Sequence, residues 1–160
     1  MERLNHLLRL PEYRKVQSKI ADYEQERIYC RHGIDHFRDV ARVAYILSLE
    51  EQLLIDKELI YVTAFLHDIG RMYEYEGKCS HESGSILLAL NWLPDCGFHA
   101  EEIKIITDAI AAHGKKHKIQ PKTLGDILYR ADKLSRDCFQ CKATDTCKWT
   151  EEQKNKGITY

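Results

Sequence analysis

The feature that most constrains this chain is the run LIYVTAFL at residues 59–66, which ends directly in His67 and Asp68. A helix that is apolar on nearly all sides must be surrounded by other elements, because it has no face to give to solvent. The run is far short of the roughly 20 apolar residues that a membrane span needs. It therefore belongs at the centre of a domain, and it carries two ionisable residues into that interior. Buried ionisable groups are costly unless something compensates them.

What surrounds this rod reads as further helix. Apolar positions recur at helical spacing in LPEYRKVQSKIADYEQER, DHFRDVARVAYILS, HESGSILLALNWL, HAEEIKIITDAIAAH and PKTLGDILYRADKLSRDC, while strand-type alternation is scarce. DKELIYVTAFLHDIG is read as one helix that Gly70 ends, and Gly84 as a point of close packing. The expected fold class is all-α, a compact bundle of six or seven helices around a central site. With 160 residues, no repeat and no Pro/Gly/Ser-rich linker, residues 1–137 are expected to form one helical domain, followed by a cysteine-containing tail at 138–160.

Extending each apolar stripe by a turn shows what the bundle would enclose. Val40 leads back to His36, Ile106 forward to His113, and Leu128 forward to Asp132. His81 shares a face with Gly84, Ser85 and Leu88, and the central helix brings His67 and Asp68. A lone histidine on an apolar face is ordinarily a hydrogen-bonded core residue. Four imidazoles and two carboxylates converging in one core are different, and a cation is the economical way to neutralise them. Imidazole with carboxylate suits Fe, Mn, Zn or Ni, and Ca less well.

The order His36, His67-Asp68, Asp132, set in HFRDVARVA, AFLHDIGR and YRADKLSR, resembles the HD superfamily of metal-dependent phosphohydrolases from about Arg31 to Arg136. HESG and AIAAHG look similar to the branch that hydrolyses symmetrical dinucleoside tetraphosphates. The chain departs from that branch in lacking two threonines after His113, and it lacks the Gly-Tyr-Pro motif of cyclic-dinucleotide phosphodiesterases.

The resemblance implies that His36, His67, Asp68 and Asp132 hold one metal, and that His81 and His113 hold a second with Asp68 bridging. One or two ions of Fe, Mn, Ni, Co or Zn, with Mg also admissible, would then activate water for attack on phosphorus. The implied activity is cleavage of a phosphomonoester, phosphodiester or phosphoanhydride, with a small phosphorylated molecule, a nucleotide, as substrate. Asp68, His67 and Lys133 are the catalytic candidates. His32, Arg71, Lys115, Lys116 and Arg136 are candidates for contacting substrate, and His32 equally for a hydrogen-bond partner of the ligands.

Cys138, Cys141 and Cys147 stand as C-x2-C-x5-C, a spacing suited to zinc or an iron–sulfur cluster but one ligand short. Cys30, Cys79, Cys96 or a second subunit offers the fourth. A formal net charge of −1 gives no reason to expect nucleic acid or an anionic membrane as partner. MERLNHLLRL interleaves charge with leucine too early for a signal-peptide core, so a cytoplasmic address is expected, with thiols rather than disulfides. The competing class is a non-catalytic module that senses a nucleotide or metal, its cysteine tail binding metal or responding to redox state.

Overall fold

A computed structural model describes residues 1–113 and 120–160. Among the described residues there are eight α-helices and no strand. They are α1 (Glu2–Arg9), α2 (Pro11–Tyr23), α3 (Ile34–Glu50), α4 (Lys57–Leu66), α5 (Arg71–Tyr75), α6 (His81–Trp92), α7 (Ala100–His113) and α8 (Leu124–Leu134). Two short 3-10 turns, Cys138–Gln140 and Thr144–Thr146, follow. No helix among the described residues is long and apolar enough to cross a membrane.

Local chemistry sets several boundaries. Pro11 opens α2, where its missing N–H costs nothing. The Asp56 carboxylate caps α4 by accepting from the N–H groups of Glu58 and Leu59, and Ser80 and Thr123 cap α6 and α8 in the same way. The central rod is as buried as its composition demands, with Leu59, Ile60 and every residue from Val62 to Leu66 inside. It packs against α3, α7, α8 and α1. The Tyr13 hydroxyl reaches across from α2 and donates to the Phe65 carbonyl at 3.2 Å.

The expected helices differ from these at their ends. α2 stops at Tyr23, and α8 is confined to Leu124–Leu134 rather than running from Pro121 to Cys138. α1 and α5 were not expected. One is a two-turn helix that buries only Leu4 and Leu7, and the other is a single turn, too short for a periodicity to register.

Gly70 is a correction. α4 ends at Leu66, and Gly70 sits at φ −73° as the residue before α5, so no left-handed cap is involved. Its role is proximity. A Cβ there would lie 2.1 Å from the His81 carbonyl oxygen and 2.2 Å from the Ser85 nitrogen, and one on Gly84 would lie 3.0 Å from the Gly70 oxygen. Two glycines thus let the turn after α4 lie directly on the backbone of α6. Ser85 fastens the contact, its hydroxyl accepting from the Gly70 N–H and donating to the His67 carbonyl, both at 2.9 Å.

The segment 138–160 folds back over the bundle. The Asn155 side-chain amide donates to the carbonyls of Leu134 and Arg136 at 2.9 and 3.0 Å. The Lys133 ammonium lies 4.2 Å from the centre of the Trp149 ring.

Candidate metal centre

Five helices each bring an end to one place. His36 comes from the first turn of α3, His67 and Asp68 from the turn after α4, His81 from the start of α6, His113 from the end of α7 and Asp132 from the last turn of α8. One donor atom from each of His36, His67, Asp68 and Asp132 lies within 4.8 Å of the others, and the same holds for Asp68, His81 and His113. Only His81 of these is less than fully buried.

Asp68 belongs to both sets because its two oxygens face different ways. Oδ2 is 3.2 Å from His67 Nε2 and 3.9 Å from His36 Nε2, whereas Oδ1 is 3.5 Å from His81 Nε2. Asp132 Oδ1 closes the first set, 3.3 Å from His36 Nε2 and 3.9 Å from His67 Nε2.

The histidine tautomers follow from their carbonyl partners. Nδ1–H of His67 donates to the Ala64 carbonyl and Nδ1–H of His113 to the Ile110 carbonyl, each at 2.7 Å. A neutral ring so held keeps its lone pair on Nε2, aimed into the site. His67 Nε2 is buried with no hydrogen-bond partner, a costly arrangement in a protein interior unless a cation is to meet it.

The charges point the same way. Burial would favour the neutral acids, yet Asp68 is held well below the usual carboxylate range by His67, Arg71 and His32. Asp132 is likewise held well below it against burial, by the neighbouring His36 and His67 and by the charges of Lys133 and Arg136. The two carboxylates in turn overcome the burial of His67 and raise it to about 9. His36 is pushed down to about 3 by burial with Arg136 and His67 adding to it, and His113 to about 4 by burial and His67. Two ionised carboxylates in a buried site demand positive charge, which His67 and the side chains of Arg71, Lys133 and Arg136 supply here. A divalent cation would supply it with every imidazole neutral. The donor set therefore fits a metal, with one adjustment: Arg136 donates to His36 Nε2 at 2.7 Å and would have to release it.

The basic residues divide. Lys133 Nζ donates to Asp132 Oδ2 at 2.6 Å, and Arg71 donates from Nε to Asp68 Oδ1 at 3.0 Å and from Nη1 to Glu74 at 2.9 Å. Arg136 is buried, 3.4 Å from Asp132 Oδ1 and bonded to the Arg31 carbonyl at 2.9 Å. Lys115 and Lys116 lie outside the described residues. His32 is buried beside the ligands, its Nε2 3.6 Å from Asp68 Oδ2 and its Nδ1 bonded to the Glu24 carboxylate.

Glu24 is the residue that the sequence reading missed. It is 2 % exposed, accepts from the His32 backbone N–H at 2.6 Å and also from the Tyr75 hydroxyl. The signal was present, since Val16, Ile20 and Glu24 fall at i, i+4 and i+8 on the buried stripe of α2. Tyr29, Tyr129 and Trp149 were missed as well. With Arg71 and Lys133 they line a cavity of about 600 Å³ that opens over Asp68, His81, His113 and Asp132.

A helical bundle with buried histidines and aspartates at the floor of such a cavity is the framework of a metal-dependent hydrolase. The chain belongs to the HD domain family, whose profile matches residues 33–137. It is 41% identical to an uncharacterized protein of Clostridium beijerinckii over 160 residues, the whole of both chains. The crystal structure of a predicted HD superfamily hydrolase from an uncultured Thermotogales bacterium shares the fold, with a TM-score of 0.62 at 23% identity over 96% of this chain and 87% of that one.

Proposed function

We propose that this chain is a phosphohydrolase that cleaves a phosphoester or phosphoanhydride bond of a small phosphorylated molecule, a nucleotide, with two metal ions. The observation that carries this reading is the pair of donor sets sharing Asp68 at the floor of a cavity walled by cations and aromatic rings. Its volume of about 600 Å³ suits a nucleotide-sized ligand.

When bound at these donors, a divalent metal supplies Lewis acidity toward phosphoryl oxygens and makes water nucleophilic near neutral pH. The chain's own residues do the rest. Arg71 and Lys133 stand beside the two ligand carboxylates with N–H groups to spare, so they hold phosphate oxygens against the centre. Tyr29, Tyr129 and Trp149 offer flat apolar surface to a base. Glu24 fixes His32 with Nδ1–H donated to the carboxylate, leaving Nε2 to accept a proton at the edge of the ligands.

The test is phosphate release from nucleoside monophosphates, cyclic nucleotides and dinucleoside polyphosphates by metal-stripped protein reloaded with Mn, Fe, Co, Ni or Mg. Turnover by the wild type and its loss by more than about a thousandfold in Asp68→Ala is expected, because that substitution removes a ligand common to both sets. Retained metal with no turnover of any of these compounds would overturn the enzymatic reading. His113→Ala should lower the metal bound at the histidine–aspartate centre from two ions to one, and a wild type that binds a single ion there would overturn the two-ion reading.

A further inference from the structure

We propose that Cys30, Cys138, Cys141 and Cys147 form a second metal site, a four-thiolate zinc centre that joins the loop before α3 to the C-terminal segment. Cys138 opens the first 3-10 turn and Cys141 follows it, with the Cys141 N–H donating to the Cys138 carbonyl at 3.2 Å. Residues three apart eclipse in this geometry, so the two side chains leave the turn on one side. Cys147 follows the second turn, its N–H donating to the Thr144 carbonyl at 3.3 Å.

The fourth cysteine comes from far away in sequence, and the residues on either side of it are tied to the same region. The Tyr29 hydroxyl donates to the Thr146 carbonyl at 3.2 Å, next to Cys147. Arg136, two residues before Cys138, donates to the Arg31 carbonyl at 2.9 Å. Cys30, Cys138 and Cys141 line one cavity together, and Cys30 and Cys147 share a wall of the cavity over the histidine–aspartate centre. Burial pushes the Cys30 thiol up, Arg136 opposes this, and Cys138, Cys141 and Cys147 each push it further, so all three thiols lie within electrostatic reach of it. Cys79 and Cys96 line neither cavity.

All six cysteines are free thiols. Four thiolates with no oxygen or nitrogen donor are a soft, closed set, which favours zinc in a structural role. The sulfurs are looser than the histidine and aspartate donors, which alone among the described residues already lie within 4.8 Å in groups. The site thus closes when the ion draws the thiols in. Once closed, it fastens the segment carrying Trp149 over the cavity from the side of Tyr29.

Zinc content and a cobalt spectrum test the site without recourse to turnover, so its failure and the failure of the phosphohydrolase reading are separable. Protein prepared under reducing conditions should hold one zinc that survives Asp68→Ala, Cys79→Ser and Cys96→Ser but is lost in Cys30→Ser and Cys141→Ser. To make the test independent of how those last two variants fold, metal-free wild type and Asp68→Ala are also titrated with Co2+. Both should develop thiolate-to-cobalt charge-transfer absorption and the visible bands of tetrahedral cobalt. Absence of the charge-transfer band, or zinc retained in Cys30→Ser, would overturn the site. A brown chromophore with acid-labile sulfide would overturn its assignment to zinc.

Discussion

Gly70→Ala is a sharp test of how the centre is assembled. At φ −73° the backbone accepts alanine without strain, so whatever the substitution costs is steric. The new methyl carbon would sit 2.1 Å from the His81 carbonyl oxygen and 2.2 Å from the Ser85 nitrogen, both backbone atoms of α6 that no rotamer change can move. Reaching ordinary contact means shifting the start of α6 by more than about 1 Å, and overpacking of this kind typically costs about 1–3 kcal/mol. The shift would also stretch the Gly70–Ser85 hydrogen bond, which adds about 1 kcal/mol. A total near 3 kcal/mol lowers Tm by about 6–12 °C in a chain of this size. Because His81 opens α6, metal bound through His81 and His113 should weaken as well. Calorimetry alongside metal analysis checks both effects, with Gly157→Ala as the control, since a Cβ there meets nothing within 4 Å. A Gly70→Ala protein melting within 2 °C of wild type would refute the close-packing argument.

Two further substitutions probe what surrounds the ligands. Despite burial, which opposes ionisation, hydrogen bonds from His32 and Tyr75 hold the Glu24 carboxyl down at about 2. A folded pKa depressed in this way contributes stability above the unfolded value, about 4.5, that is lost as pH falls toward 2, on the order of 3 kcal/mol. Glu24→Gln should therefore be less stable than wild type at pH 7 and flatter between pH 4.5 and 2 in urea titrations, and parallel curves would count against the pairing. Trp149→Ala removes both a ring at 4.2 Å from the Lys133 ammonium and a flat wall of the cavity. With the best nucleotide substrate KM should rise about tenfold, with kcat and metal content little changed, as loss of one stacking contact implies. An unchanged KM would remove Trp149 from the binding surface.

Much of the site was legible because helical periodicity is a local property. Apolar stripes extended by one turn lead to His36, His113 and Asp132, and the composition of residues 59–66 places His67 and Asp68 inside. The same step applied to α2 would have reached Glu24, which was overlooked because its stripe carries only Tyr13, Val16 and Ile20 amid charge. Gly70 misled for another reason. Glycine at the end of an apolar run ordinarily signals a cap, and only the position of α6 reveals that the missing side chain makes room for backbone.

By itself, then, the sequence determined the helical class and which histidines and aspartates each helix turns toward the candidate centre, since both depend on spacing along single helices. Tertiary structure alone decided that Asp68 turns one oxygen to each donor set, that Glu24 reaches His32, and that Tyr29, Cys30 and Trp149 line one cavity. These are contacts between segments far apart in the chain. How two helix ends or a loop and a tail come to face each other is set by the packing of every intervening helix, and no periodicity within one segment records it.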